Sequence, residues 1–129
     1  MTTLTVEECW ALLQQESVGR LGYRLVDELH VVPVNYVVRD DVVLVATGEG
    51  NKLLASELHA EAALEIDDLR GEEAWSVLVR GRLQHVEEGP AEAFADVATV
   101  SWLPTFKYDV IQLVPAAVTG RRFEVHRPR

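Results

Sequence analysis

Short apolar runs rich in valine, each closed by a polar turn, dominate the pattern of this chain. Residues 31–38 and Val42–Thr47 form two such runs, and the polar triplet Arg39, Asp40 and Asp41 separates them. Because β-branched residues are enriched in strands, the pattern predicts two strands joined by a tight turn. Further strands are predicted over residues 17–26, 62–66, 74–86 and 110–114, with a terminal turn or short strand over residues 118–125.

Helical spacing is limited to three short stretches. The first follows a capping box, in which the Thr5 hydroxyl accepts a hydrogen bond from the N–H of Glu8 and the Glu8 carboxylate accepts one from the N–H of Thr5. Leu4 and Cys9 have the spacing of the hydrophobic contact that accompanies such a box, and this helix is predicted to end near Gln15. Two further helices are predicted over residues 52–60 and 91–100.

Proline and glycine mark special positions within the predicted strands. The first valine-rich run is part of a longer apolar run over residues 29–38, and Pro33 lies inside it. Because proline has no N–H to donate, this strand is predicted to be an edge strand there or to face a ligand. Gly19 and Gly22 predict a bulge or the sharp coiling of a small barrel. Consecutive strands between residues 17 and 47 leave no room for parallel crossovers. The predicted fold is therefore a mainly β (α+β), mostly antiparallel barrel of six to seven strands with two to three short helices.

Size and charge narrow the possible partners. The chain has 129 residues, which predicts a single domain over residues 1–129, and its net charge is −9. Residues 1–100 carry 7 basic and 19 acidic side chains, whereas residues 101–129 carry 5 and 2. An acidic body disfavours nucleic acid or an anionic membrane as partner. The start, MTTLTVEEC, lacks the pattern of a secretory signal, so we expect a cytoplasmic protein.

The segment that follows the strand Val42–Thr47 is a candidate anion site. Gly48 and Gly50 allow a close approach of the backbone, Asn51 can cap the next helix, and Lys52 adds a positive charge. The alternative is that the segment is an ordinary connection, since short glycine motifs are common.

Other chemistry is sparse in this sequence. The single Cys9 is predicted to be a small core residue, because Glu7 and Glu8 beside it disfavour a reactive thiolate. Asp67 and Asp68 are predicted to form a solvated turn. No catalytic residue is identified, and the spacing of the four histidines predicts no metal site.

Five sequence words, in order, cover nearly the whole chain: EECWALLQQESVGRLGY, VPVNYVV, GEGNKL, AWSVLVRGR and VTGRRF. In this order and with these helix positions the chain resembles the pyridoxamine 5'-phosphate oxidase-like, FMN-binding split β-barrels, in particular the small actinobacterial-type members. The resemblance implies an antiparallel split β-barrel.

The resemblance also implies a homodimer with FMN, or a deazaflavin coenzyme, bound in grooves between the subunits. One strand would offer backbone groups to the isoalloxazine ring, and the segment after the next strand would hold the phosphate. Two further segments would touch the ring or lie near the dimer seam. The implied cofactor-binding residues are, in that order, Pro33, Val34, Asn35 and Tyr36; Thr47, Asn51 and Lys52; Trp75 and Ser76; and Arg122 of the Arg121-Arg122 pair. Tyr36 and Trp75 are equally understandable as core or interface residues.

Three positions depart from the family pattern. Ala46 stands where relatives usually carry an arginine, Asn51 replaces a frequent Ser, Thr or Arg, and Glu49 places a negative charge in the phosphate segment. A carboxylate within several ångström of a phosphate makes the binding free energy less favourable by on the order of 1 kcal/mol or more. Two functions therefore remain open. One is a flavin- or deazaflavin-dependent oxidoreductase acting on a small conjugated or nitro-aromatic substrate, and the other is a non-catalytic split-barrel binding or sensor protein with a weakened or lost flavin site.

Overall fold

A curled antiparallel sheet forms the body of the protein. The computed structural model describes residues 1–47, 50–69, 71–86 and 109–125. These residues form the helices α1 (Val6–Gln15) and α2 (Gly50–Glu57) and eight strands. The strands are β1 (Thr2–Thr3), β2 (Val18–Leu25), β3 (Glu28–Asn35), β4 (Val37–Arg39), β5 (Val42–Thr47), β6 (Glu61–Asp68), β7 (Glu73–Val86) and β8 (Asp109–Glu124).

The order of the strands explains why the barrel is split. The sheet runs β3-β2-β6-β7-β8-β5-β4, every pair is antiparallel, and β1 adds to β8. The two end strands, β3 and β4, follow each other in the chain and are separated only by Tyr36. The sheet must therefore curl until its two ends meet, and it does so without a β3–β4 ladder. The predicted antiparallel split β-barrel is confirmed.

Alternate residues of the strands fill the interior of the curled sheet. Leu21, Leu64, Val79 and Leu113, one from each of four strands, are almost completely buried. This burial follows from the period of two along a strand, which sends alternate side chains to opposite faces. No helix of the described residues is long and apolar enough to cross a membrane.

Helix α1 begins and ends as its sequence predicts. The N–H of Thr5 donates to Glu8 Oε1 at 3.0 Å, and the N–H of Glu8 donates to Thr5 Oγ1 at 3.1 Å. Leu4 and Cys9 are both buried beside this box, and burial raises the pKa of the Cys9 thiol. The prediction that Cys9 is a core residue is confirmed.

The run of residues 31–38 is not one strand, as the sequence suggested. It breaks at Tyr36, whose N–H donates to the carbonyl of Ser17 at 3.0 Å instead of joining a ladder. Residues before the break pair with β2, and only β4 forms the predicted hairpin with β5. The valine pattern continues through the break because both flanking strands need β-branched residues. Pro33 does lie on an edge strand, as predicted.

Of the two alternatives predicted for Gly19 and Gly22, a bulge is not found in β2, and the coiling of a small barrel agrees with the curled sheet. All eight residues of β2 pair one to one with β3. The register shift lies between Arg80 and Gly81 of β7, which pair with Ala117 and Pro115 of β8 and leave Ala116 as the extra residue. A bulge is expected here because Pro115 has no N–H for a regular ladder.

Predicted boundaries differ from the structure at two further places. The C-terminal strands form one continuous β8, and α2 begins at Gly50 rather than at residue 52. Asn51 consequently lies inside α2 and is not its cap. The helix predicted over residues 91–100 and the glycine-loop residues Gly48 and Glu49 lie outside the described residues.

Candidate flavin site

The predicted phosphate segment places a hydroxyl and an amine at the junction of β5 and α2. Thr47 is the last residue of β5 and is only 2% exposed. Lys52 lies in the first turn of α2 and is 8% exposed, while the neighbouring Asn51 is exposed. A lysine is rarely this buried, because removing an ammonium group from water is costly. The position of Lys52 is therefore well defined by its surroundings.

The predicted ring strand lies at the split of the barrel. Pro33, Val34 and Asn35 pair with β2, and no other strand of the described part of the chain lies on their other side. The Tyr36 hydroxyl donates to the carbonyl of Leu13 in α1 at 2.7 Å, and its side chain is buried in the core. Burial raises the pKa of Tyr36 well above its usual range. The alternative left open by the sequence is thus resolved for the Tyr36 ring, which is a core group. Its backbone N–H is bound to the Ser17 carbonyl, and the residue as a whole is only 1% exposed.

The third predicted group lies on the long β7–β8 ladder. Trp75 pairs with Arg122, and Ser76 pairs with Arg121. The Trp75 side chain is half-buried against the core, whereas Arg122 is largely open and lies 3.9 Å from Glu73 between Nε and Oε1. Arg122 is therefore accessible to a ligand or to a second protein surface.

The phosphate segment and the Trp75-Ser76 group lie beside opposite ends of β8. Thr47 pairs with Asp109 at the start of β8, while Ser76 pairs with Arg121 near the end of the same strand. The strand between Asp109 and Arg121 measures roughly 40 Å at the usual rise per residue, before its curvature is counted. Along the sheet, the two groups are thus separated by most of the length of β8.

Comparison with known proteins now places this fold. The family model described as pyridoxamine 5'-phosphate oxidase matches residues 5–122. This chain belongs to the pyridoxamine 5'-phosphate oxidase family.

Solved and curated relatives agree with this assignment. The FAD binding protein from Mycobacterium smegmatis is 34% identical, with a TM-score of 0.76 over 95% of this chain and 99% of that one. An uncharacterised protein of Mycobacterium tuberculosis is 33% identical over 88 residues, which is 67% of this chain and 80% of that protein. A FAD-binding protein from Mesorhizobium loti, 22% identical, shares the fold with a TM-score of 0.81 and coverage of 96% and 97%.

In this member of the pyridoxamine 5'-phosphate oxidase family, Arg20 contacts a pair of carboxylates, Glu65 and Asp67, which the sequence did not predict. Asp67 and Asp68 do not form a solvated turn, because β6 continues through both residues. Arg20 Nη1 lies 2.9 Å from Glu65 Oε1 and 2.9 Å from Asp67 Oδ2. Glu65 and Asp67 are two positions apart on a strand and so share a face. That spacing was visible in the sequence, but the arginine that joins them is 45 residues or more away.

The carboxylate pair adjoins two of the predicted flavin contacts. Arg20 pairs with Pro33, and Asp67 pairs with Ser76. Burial and the hydrogen bond and charge of Asp67 raise the pKa of Glu65 to about 7, against the opposing effect of Arg20. Near neutral pH the pair therefore holds a proton on the outer face of the sheet.

Glu65 gives a test through the pH dependence of stability. Its pKa in the folded protein, about 7, lies above its ordinary value of 4.5, so folding favours the protonated form. This contribution is present at low pH and is lost as the pH rises through about 7. We expect the Tm to fall between about pH 5 and about pH 8, and to fall less in Glu65→Gln. Thermal unfolding followed by circular dichroism measures the difference.

The control for this experiment is Glu61→Gln on the same strand. Glu61 lies 3.6 Å from Arg82 between Oε1 and Nη2 and is more exposed. This variant should retain the wild-type fall in Tm. An equal fall in Glu65→Gln and the wild type would show that Glu65 does not titrate in this range.

His85 joins α2 to the end of the β7–β8 ladder. Its Nδ1 lies 3.0 Å from Glu57 Oε1, and its Nε2 lies 3.3 Å from Asp109 Oδ1. Asp109 is the pairing partner of Thr47, so His85 supports the same junction that carries Lys52. No sequence pattern indicated this contact. Within the described ranges, no three His, Cys, Asp or Glu side chains converge as metal ligands.

Proposed function

We propose that this protein is a flavin-dependent oxidoreductase that reduces a small conjugated or nitro-aromatic substrate and binds its flavin between two copies of the chain. The observation that carries the proposal is the separation of the predicted contacts into two sets. Thr47 and Lys52 lie at one end of β8, while Ser76 and Trp75 lie beside its other end. A homodimer in which the Lys52 end of one chain meets the Trp75 end of the other would contain two complete sites.

The residues at the β5–α2 junction fit the phosphate of a flavin nucleotide. Lys52 can neutralise phosphate charge, and a nearly buried ammonium group interacts with an anion more strongly than a solvated one. The Thr47 hydroxyl can donate a further hydrogen bond. These two side chains hold and orient the cofactor in this proposal.

The split between β3 and β4 fits the flavin ring. An edge strand offers backbone N–H and C=O groups that no neighbouring strand uses. Within the segment from Pro33 to Asn35, the backbone groups that point away from β2 would lie along the ring; Pro33 has no N–H and could offer only its carbonyl. The half-buried Trp75 of the second copy would exclude water from the ring. When bound, the flavin would supply hydride chemistry that no side chain can provide.

FMN is the proposed cofactor, and two other molecules belong in the same test. The Mycobacterium smegmatis relative is a FAD binding protein, which makes FAD an alternative flavin. A deazaflavin coenzyme is the third candidate. All three carry the phosphate and the flat tricyclic ring that this site is proposed to contact.

One feature of the chain favours a second function, a non-catalytic binding or sensor protein. Ala46 occupies a half-buried position on β5 directly before Thr47 and brings no charge to the phosphate segment. A site with one cation fewer binds a phosphate less tightly. Such a protein would retain the barrel and the dimer without steady turnover.

Titration of cofactor-stripped protein tests the proposal. We expect FMN, FAD or the deazaflavin coenzyme to bind at one molecule per chain with micromolar or lower Kd, measured by quenching of cofactor fluorescence. Turnover of a nitro-aromatic substrate with a stoichiometric flavin would exclude the sensor function. A folded, dimeric protein that binds none of the three cofactors would overturn the proposal.

A further inference from the structure

A cavity of about 740 Å³ lies on the sheet, and none of the predicted flavin contacts is among the residues that line it. Strands β2, β3, β6, β7 and β8 line it. Gly22 and Ala63 form part of its floor, and both face outward because the residues beside them, Leu21, Tyr23, Ala62 and Leu64, belong to the core. The cavity is therefore an external cup on the barrel wall.

The register of the sheet explains the shape of this cup. One row across the strands runs from Val31 to Gly22, then to Ala63 and Arg80. Its two central residues are small and leave a depression between longer side chains. The neighbouring row contains Arg24 beside Leu29 and Arg82 beside Glu61. Small residues thus form the floor, and long ones form the rim.

The β-bulge deepens one side of the cavity. Gly81, Pro115 and Ala116 line this side, and the register shift lies at the same place. A Cβ on Gly81 would overlap the backbone carbonyl of Val114, so the two strands approach more closely than a side chain allows. Bulges often re-aim side chains next to binding sites.

The polar groups of the cavity are mainly cationic. Arg24, Arg80 and Arg82 line it together with one carboxylate, Glu61. Arg82 is partly engaged, since its Nη1 donates to the carbonyl of His59 at 3.1 Å and its Nη2 lies 3.6 Å from Glu61. Among the residues that the structure describes, Arg24 and Arg80 have no ion-pair partner. In a chain of net charge −9, this is an unusual local excess of positive charge.

Apolar side chains at the rim are left in water. Leu29 is 72% exposed and Val31 is 70% exposed, and both line the cavity. A concave, mostly apolar surface with a few converging charged groups is the usual form of a small-molecule site, and its volume lies within the usual range of about 300–1,000 Å³.

We propose that this cavity binds a small organic carboxylate with a flat apolar body. The body would lie on Gly22 and Ala63 between the rim side chains, and the carboxylate would accept hydrogen bonds from Arg24 and Arg80. Guanidinium groups bind carboxylates in a bidentate geometry, which gives such a site direction as well as affinity.

Charge argues against a second copy of the chain as the occupant. A two-fold contact centred on the cavity would place the same patch on both sides, so the arginines of one copy would face those of the other. Like charges that face each other across an interface repel, and proteins use this repulsion to exclude wrong partners. A small anion meets no such repulsion.

Calorimetric titration of the full chain with 1-naphthoate tests this proposal, with the neutral 1-naphthamide and inorganic phosphate as companion probes. We expect saturable binding of one naphthoate per chain. The amide should bind at least about tenfold more weakly because it lacks the charge, and phosphate should not bind because it lacks the apolar body.

Two variants locate the binding. Arg80→Gln should weaken naphthoate binding about tenfold. Gly22→Val should abolish it, because valine fills the floor of the cavity. A Cβ at residue 22 meets its nearest neighbours, the His30 carbonyl, Val31 Cγ2 and the Ala63 carbonyl, only at 3.7, 3.8 and 3.9 Å, and thermal unfolding verifies that the fold also accepts the two methyl groups of valine. The control is Arg20→Gln. Arg20 lies on β2, as Gly22 does, but it does not line the cavity, so this variant should bind naphthoate as the wild type does.

Three results would overturn the proposal: no saturable binding of naphthoate by the wild type, equal binding by Gly22→Val, and displacement of a bound flavin by naphthoate. The last result would mean that the ligand occupies the flavin site. Because naphthoate binding is measured in both flavin-free and flavin-loaded protein, failure of the flavin proposal and failure of this one are distinguishable.

Discussion

Gly81→Ala is expected to destabilise the fold by about 3 kcal/mol or more, the upper end of the usual cost of overpacking. A Cβ at this position would overlap the carbonyl oxygen of Val114 and lie 2.8 Å from the Val114 carbonyl carbon and 3.0 Å from Pro115 Cα. These neighbours are backbone atoms of β8, which cannot move aside as the end of a flexible side chain can. The bulge and both long strands would have to shift.

The measurement is guanidinium unfolding of Gly81→Ala beside the matched control Gly22→Ala. Gly22 also lies on a strand, but its added Cβ makes only ordinary contacts, the nearest at 3.7 Å. The control should be neutral or gain about 0.5–1 kcal/mol, because alanine loses less backbone entropy on folding than glycine. Equal stability of the two variants would show that β7 and β8 are not in close contact at the bulge.

Lys52→Met is expected to weaken flavin binding by about ten- to a hundredfold, the usual worth of a hydrogen bond to a charged group. Methionine is unbranched and similar in length to lysine, so the variant removes the ammonium group while keeping a side chain of similar shape in this buried position. Lys52 is 8% exposed, and its charge would face a bound phosphate with little screening by water. The affinity should also depend less on salt than that of a surface site.

Fluorescence titration of the flavin measures this effect, with thermal unfolding to verify the fold. Arg82→Met serves as the control because it removes a more exposed cation, on β7, that belongs to neither predicted flavin group. The control should bind flavin as the wild type does. Unchanged affinity in Lys52→Met would remove Lys52 from the phosphate site.

Local signals predicted most of the elements of this fold. The capping box at Thr5 depends on residues three positions apart, so the sequence alone determines where α1 begins. Pro33 cannot take part in a central ladder, and it does lie on an edge strand. Valine-rich runs marked the strands themselves. Each of these features depends on neighbouring residues.

Features that depend on strand register could not be predicted in the same way. The break at Tyr36 follows from a hydrogen bond to Ser17 and a buried contact with Leu13, and neither is a neighbour in the sequence. The bulge was assigned to the wrong glycines because only the pairing of β7 with β8 shows that Pro115 lies opposite Gly81. The ion pairs of Arg20 likewise needed the β2–β6 pairing.

The candidate site was predictable as a set of residues but not as an arrangement. Resemblance to the family named the contacts one by one. Only the register showed that Thr47 of β5 and Ser76 of β7 pair with opposite ends of the long strand β8. That separation is the observation from which we propose a flavin site shared by two chains.

Complementation of two inactive variants tests this shared site most directly. Lys52→Met removes one half of the site and Arg122→Ala removes the other, so neither variant alone should bind flavin tightly. If the two are unfolded and refolded together, mixed dimers contain one intact site each, and random pairing should restore about a quarter of the sites. Recovery of that fraction in a flavin titration is the predicted result. No recovery in a mixture shown to contain mixed dimers, or tight binding by a monomer, would contradict a flavin site built from two chains.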